Sequence, residues 1–129
     1  MTFERGDMVY DANRFKGNDY SRPWLIVSND THSFQGGQYV VLAPTSKTWH
    51  DESVPIDDDA WIDGGAPNRS SVLPWSVETI EPSDIEHRQG TIESSLGDEA
   101  VSRLVSFVRL DRSTTRETAS KAESSGNAT

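Results

Sequence analysis

The sequence predicts a mainly β domain with a C-terminal α-helix, folded as a small, partly closed barrel with the helix packed on it. Three observations carry this. Short apolar runs rich in Val, Ile and Leu recur between turn residues from Gly6 to Ile80. Glycine pairs at Gly36-Gly37 and Gly64-Gly65 mark close connections. Only near the end does the period change: Val101, Leu104, Val105 and Val108 fall at i, i+3, i+4 and i+7, with Leu96 one turn earlier.

The first strand is expected over Gly6–Ala12, with Met8, Tyr10 and Ala12 on one face and Val9 on the other. Residues 13–21 are polar around Gly17-Asn18-Asp19 and read as a mobile loop. Trp24–Ser28 follows as a buried strand closed by Ser28-Asn29-Asp30. Arg22 stands just ahead of it. The next residue, Pro23, pushes Arg22 out of the α region, so a long cation sits on extended backbone at the lip of a core strand. Gln38–Ala43 returns as a second buried strand, ended by Pro44-Thr45-Ser46.

Residues 50–63 hold six carboxylates and no Lys or Arg. Val54-Pro55-Ile56 is expected as a short edge strand, followed by an acidic turn at Asp57-Asp58-Asp59. That turn lacks the glycine and spacing of a calcium loop and reads as solvated. Gly64–Pro67 reads as loop. Ser71-Val72-Leu73 and a piece with Val77 and Ile80 read as two short strands separated by Pro74, giving five or six strands in all. The helix is expected to be capped by Ser95 or Gly97, with Asp98 and Glu99 at its positive end. Leu96, Val101, Leu104, Val105 and Val108 are expected to be buried. From Asp111 no core former remains, so the chain divides into a domain over 1–110 and a disordered polar tail over 111–129.

A length of 129 residues suits one domain. Without cysteine, disulfides, zinc–thiolate sites and thiol catalysis are excluded. No apolar run approaches a membrane span and no signal-peptide core opens the chain, so a cytoplasmic protein with no membrane partner is expected. The net charge is −9, with only three lysines. That field opposes generic polyanion binding. Concentrated salt would screen it, so the surface also suits a salt-accumulating, halophilic cell.

His32, His50 and His87 fall in separate loops by this reading, without metal-ligand spacing. There is no nucleophile elbow, P-loop or dinucleotide fingerprint. The stronger constellation is Arg22 with Thr45 and Ser46. Their strands are joined through one turn region, and antiparallel pairing would bring the three to one end of the sheet. A guanidinium fork beside a hydroxyl suits a phosphate and the charge that develops on it. RNA carries its own nucleophile, the 2′-hydroxyl, so no metal or other cofactor is required. The alternative, an arginine paired with a carboxylate and a threonine capping a turn, stays open on spacing alone. Of four tryptophans, Trp24 is expected in the core. Trp49 and Trp61, in polar stretches, offer faces for stacking bases or anchoring a partner.

At these residues the chain resembles the MazF/PemK toxins, the mRNA interferases. Arg5-Gly6-Asp7-Met8-Val9-Tyr10 matches the family's opening strand. Arg22-Pro23-Trp24-Leu25-Ile26-Val27-Ser28-Asn29-Asp30 matches its arginine–proline strand. Val41–Lys47, Val54-Pro55-Ile56, Ser71-Val72-Leu73, Val77–Ile80 and Gln89-Gly90-Thr91-Ile92 follow in the family's order. The resemblance implies an SH3-like barrel of the CcdB/MazF/PemK kind, a homodimer, and metal-independent cleavage of single-stranded RNA. It also implies a cognate antitoxin with an acidic tail. Arg22 and Thr45 fall on the family's catalytic pair. Ser46, Lys47, Trp49 and Arg69 are the accompanying candidates for contact with RNA. The chain departs from the family at Trp75-Ser76-Val77-Glu78-Thr79, which lacks the usual glutamine and arginine. Two rivals remain: a barrel that only binds a partner, and a gyrase-directed poison.

Overall fold

A computed structural model describes residues 2–12, 21–46, 51–66 and 69–110. Seven strands make one antiparallel sheet: β1 (Asp7–Ala12), β2 (Ser21–Ile26), β3 (Tyr39–Thr45), β4 (Val54–Ile56), β5 (Trp61–Gly64), β6 (Ser70–Ile80) and β7 (Ile85–Ile92). Helix α1 (Ser94–Val108) follows. The strand order is β4-β6-β3-β2-β1-β7-β5, so β4 and β5 are the free edges of a curled half-barrel. The expected architecture holds.

The central strands are apolar on both faces because both faces are covered. Met8, Leu25, Leu42, Val72 and Ile92 join Val54 and Ile56 of the edge strand and Leu96 and Ala100 of the helix in one core. Val9, Trp24, Ile26, Val41, Ala43 and Ile80 join Phe3 and Tyr39 in a second core on the other side. Leu25, Ile26, Val41 and Leu42 are fully buried. This is the burial that an unbroken apolar run requires.

Two motifs close the sheet at its turns. Gly6 takes φ +99°, a left-handed conformation open to glycine, while its N–H donates to Ile26 O and its carbonyl accepts from Ile92 N. Asp7, buried beside it, accepts from Glu4 N and from Thr91 Oγ1. After β2, the Ser28 hydroxyl accepts from Val40 N and Asn29 Oδ1 accepts from Thr31 N, so Ser-Asn is turn chemistry.

The structure corrects several expectations. β2 begins at Ser21 and ends at Ile26, so Arg22 and Pro23 lie inside the strand, and β3 runs on through Pro44 and Thr45. Trp61 opens a strand rather than lying in a loop. Ser70–Ile80 is one strand: a register shift of β6 against β3, between Leu42 and Ala43, absorbs Pro74, Trp75 and Ser76. His87 lies in β7, with its ring 5.0 Å from that of Tyr10.

The helix begins at Ser94, with Glu93 as its N-cap and no side-chain cap, so neither Ser95 nor Gly97 caps it. It packs on β6 and β4 through Leu96, Gly97 and Ala100, with Val101 and Leu104 half-covered. Val105 and Val108 are 46% and 69% exposed and do not join the core. The first turns enter the core through Leu96 and Ala100, whereas the last turn meets β6 through Phe107, whose ring lies 6.3 Å from that of Trp75. The tail after Leu110 lies outside the described residues.

Candidate functional site

The candidate residues meet where β2 and β3 part. These strands pair at Leu25↔Leu42 and Ile26↔Val41 only. Continued by the same register, Pro23 would oppose Pro44 and Arg22 would oppose Thr45. Neither proline has an N–H to give, so the ladder has no donor at that step. Each strand is held instead from its outer side. β2 stays paired with β1 as far as Asp11↔Arg22 and Ala12↔Ser21, and β3 stays paired with β6 as far as Thr45↔Ser71. The sequence thus fastens Arg22 and Thr45 to two strands that separate between them.

Arg22 is exposed, and its guanidinium carbon lies 4.6 Å from the centre of the Trp24 ring. Arg22 and Trp24 are two apart on one strand, so both stand on the same face, and a cation over indole is attracted by the ring's negative face. Asp11 sits opposite Arg22. Burial pushes the Asp11 carboxyl above its ordinary value. The Trp24 indole pulls the other way, its buried N–H close by without completing an ordinary hydrogen bond. The Asp84 charge raises the value further and Arg22 lowers it. No carboxylate makes a close ion pair with Arg22 among the described residues.

Thr45 is half-buried. Together with Ser46, Pro23 and Pro44 it lines a cavity of about 220 Å³ to which Met8, Tyr10, Trp61, Ala66, Ser70 and Gln89 also contribute. Arg22 does not line this cavity; its neighbour Pro23 does. The geometry brings Arg22, Thr45 and Ser46 to one end of the β2–β3 pair. It does not bring Arg69 there. Arg69 lies in a separate depression with Arg103 and Asp51, and its guanidinium is engaged by Asp57 at 2.9 Å. Lys47, Trp49 and His50 lie outside the described residues.

Sequence reasoning missed Tyr10, Ser70 and Gln89 as lining residues. They come together only through the β1–β7 and β3–β6 pairings, which join distant parts of the chain. One signal was present: Gly90. A Cβ there would lie 2.3 Å from Asp63 O and 2.8 Å from Trp61 ring atoms, so glycine is what lets β5 and the indole close on β7. Among the described residues no cluster of His, Asp and Glu could hold a metal ion, and no helix is long and apolar enough to cross a membrane.

A sequence search of curated proteins finds no match. Solved structures do match in fold. An endoribonuclease in complex with its cognate antitoxin, from a mycobacterial species, superposes with a TM-score of 0.64 at 17% identity, covering 85% of this chain and 96% of its own. The MazE–MazF complex (Form-II) of Deinococcus radiodurans gives 0.65 at 15% identity over 86% and 99% of the two chains. The Mycobacterium tuberculosis toxin MazF-mt6 gives 0.60 at 19% identity over 83% and 99%. The family model described as PemK-like, MazF-like toxin of type II toxin–antitoxin system matches residues 4–108, which is most of the chain, and the chain belongs to that family.

Proposed function

We propose that the chain is an endoribonuclease toxin that cuts single-stranded RNA with Arg22 and Thr45. The observation that carries this is the end of the β2–β3 pairing at Leu25↔Leu42, beyond which a guanidinium and a hydroxyl stand on neighbouring strands. A phosphodiester lying there meets the fork of Arg22 from one strand and the hydroxyl of Thr45 from the other.

The reaction needs nothing beyond the RNA and these groups. The 2′-oxygen attacks the adjacent phosphorus as its proton leaves, the bond to the 5′-oxygen breaks, and a 2′,3′-cyclic phosphate and a 5′-hydroxyl result. Negative charge grows on the non-bridging oxygens, and a planar cation fixed in advance stabilises that charge more than the starting phosphate. Trp24 limits where the guanidinium can lie, so less entropy is lost when the phosphate arrives. Thr45 donates to a phosphate oxygen or passes the proton, and Ser46 and Lys47 hold the flanking backbone.

The same reading gives the chain a cognate antitoxin, as in the complexes that share its fold, a homodimeric state and a cytoplasmic site of action. The net charge of −9 favours a second reading, a barrel that holds its antitoxin without cutting RNA. The experiment is incubation of a long single-stranded RNA with the protein in EDTA, at low salt and in molar potassium chloride. Cleavage that leaves cyclic-phosphate ends supports the enzyme. No cleavage at either salt, with tight antitoxin binding, establishes the second reading.

A further inference from the structure

We infer that the cavity beside Thr45 is a base-reading pocket, in which Trp61 stacks one unpaired nucleobase and Gln89 reads its edge. The inference deepens the ribonuclease reading, because the base it takes would belong to the strand whose phosphate lies at Arg22 and Thr45.

Size is the first argument. The cavity is about 220 Å³. Pockets that bury a drug-sized molecule run from about 300 to 1,000 Å³, so this one suits a single flat ring system and not a dinucleotide. Lining is the second. Tyr10 and Trp61 give it aromatic side chains, while Thr45, Ser46, Ser70 and Gln89 give it polar ones. Aromatic surface with a few polar groups beside it is what a base requires: faces to stack on, edges to bond.

The placement of Trp61 is the third. Its six-membered ring lies against the bare Cα of Gly90, where any larger residue would displace it. One side of the indole is thus spent on β7, yet the residue is only half-buried and lines the cavity. Packing against Gly90 fixes the ring without consuming the surface that faces the cavity.

Gln89 is pre-set in a similar way. Its Nε2 donates to Gly65 O at 3.0 Å, which orients the amide. That bond uses one of two N–H groups, and among the described residues Oε1 has no protein partner. An oriented amide with one donor and one acceptor left over is suited to the adjacent donor and acceptor on a base edge.

Charge is the last argument. The chain carries −9, yet none of the described residues lining this cavity is a carboxylate. The neighbouring depressions do carry carboxylates, Asp51 beside Arg69 and Arg103 in one, Glu4 and Asp30 beside Arg5 in the other. The described lining thus adds no charge of its own against an RNA strand.

The test uses four uncleavable 2′-deoxy homohexamers, one for each base, titrated into the full-length protein with tryptophan fluorescence as the readout. One hexamer should bind best and quench the emission, and the quench should vanish in Trp61→Phe if that indole is the reporter. Trp61→Ala should weaken the preferred hexamer about 5- to 150-fold, the size of one base stack. Gln89→Ala should flatten the preference among the four and, in the cleavage assay, relax the base found beside the cut. If Trp61→Ala does not fold, the Gln89→Ala preference decides, since that side chain is outside the core. Unchanged affinity in Trp61→Ala with an unchanged preference in Gln89→Ala would overturn the pocket while leaving RNA cleavage by the parent standing. Quenching by an antitoxin peptide and by none of the hexamers would overturn it in favour of a peptide pocket. Because the hexamers cannot be cut, their binding stands or falls separately from the ribonuclease reading.

Discussion

The two ends of the β2–β3 pair do opposite things with the same strands. At one end Leu25 faces Leu42 and Ile26 faces Val41, all four fully buried, with the ladder intact. At the other end the register would bring Pro23 to Pro44, the ladder stops, and the residues next in line are exposed Arg22 and half-buried Thr45. Apolar side chains with N–H donors make a core. Prolines one step further along make an opening flanked by polar groups. The lesson is that the candidate site costs the sheet little: the missing bonds fall where each strand is still paired on its other side.

That contrast can be broken from the core end first. Leu42→Ala removes a fully buried side chain and should lose about 2–5 kcal/mol in urea unfolding, with cleavage per folded molecule unchanged. A smaller loss is expected for Gly90→Ala. The new Cβ must displace Asp63 O and the Trp61 ring, a crowding that costs about 1–3 kcal/mol, and it should perturb Trp61 fluorescence as well.

Charge effects come next. The whole chain has 21 Asp+Glu and 12 Lys+Arg, and three of each lie after Leu110, so like-charge repulsion concentrates in the folded domain. The melting temperature should rise from low salt to molar potassium chloride, because screening relieves that repulsion more than it weakens exposed ion pairs such as Arg5–Asp98 and Arg88–Asp63. A flat or falling curve would count against a salt-adapted surface.

Asp11 should give the smallest effect and sharpen the site end. Its folded carboxyl is raised above 3.8, so the folded state holds the proton longer than the unfolded chain does. Ionising it therefore lowers stability as pH rises through the folded value, and the cost persists at neutrality. Asp11→Asn should melt slightly higher than the parent at neutral pH and lose that advantage below the usual carboxylate range. In Arg22→Ala the Asp11 carboxyl should titrate higher still by carbon-13 NMR, since a lowering charge is gone. An unmoved titration would mean that the two side chains do not feel each other across β1 and β2.

The sequence showed the architecture where burial on both faces forces unbroken apolar runs, as at Leu25–Val27 and Val40–Leu42. It hid β5, an edge strand in which Trp61 is only half-buried and Ile62 is 70% exposed, because nothing there demands an apolar pattern. It also misread Pro74 as a break, since a register slip between β3 and β6 cannot be seen along one strand. Helical spacing marked Val105 and Val108 as core, but the last turn meets β6 through Phe107 on Trp75 and leaves both valines exposed. At the site, Arg22 and Thr45 were legible because hairpin pairing of neighbouring strands follows from order alone. Tyr10 and Gln89 were not, because β1 meets β7 only after the chain has wound through the whole sheet.

The central claim is that Arg22 and Thr45 act on one phosphate from opposite sides of the broken ladder. Its most direct test is a double-mutant cycle in kcat/KM on a single-stranded RNA in EDTA, with Arg22→Ala, Thr45→Ala and the pair. Arg22→Ala should cost about a hundred- to a thousandfold, with stability kept within about 1 kcal/mol. Arg22→Lys should recover little, because it keeps the charge and loses the fork. The double variant should be far less impaired than the product of the two single losses, as expected for groups that act as a unit. Losses that multiply in full, or an Arg22→Ala enzyme as fast as the parent, would contradict the account.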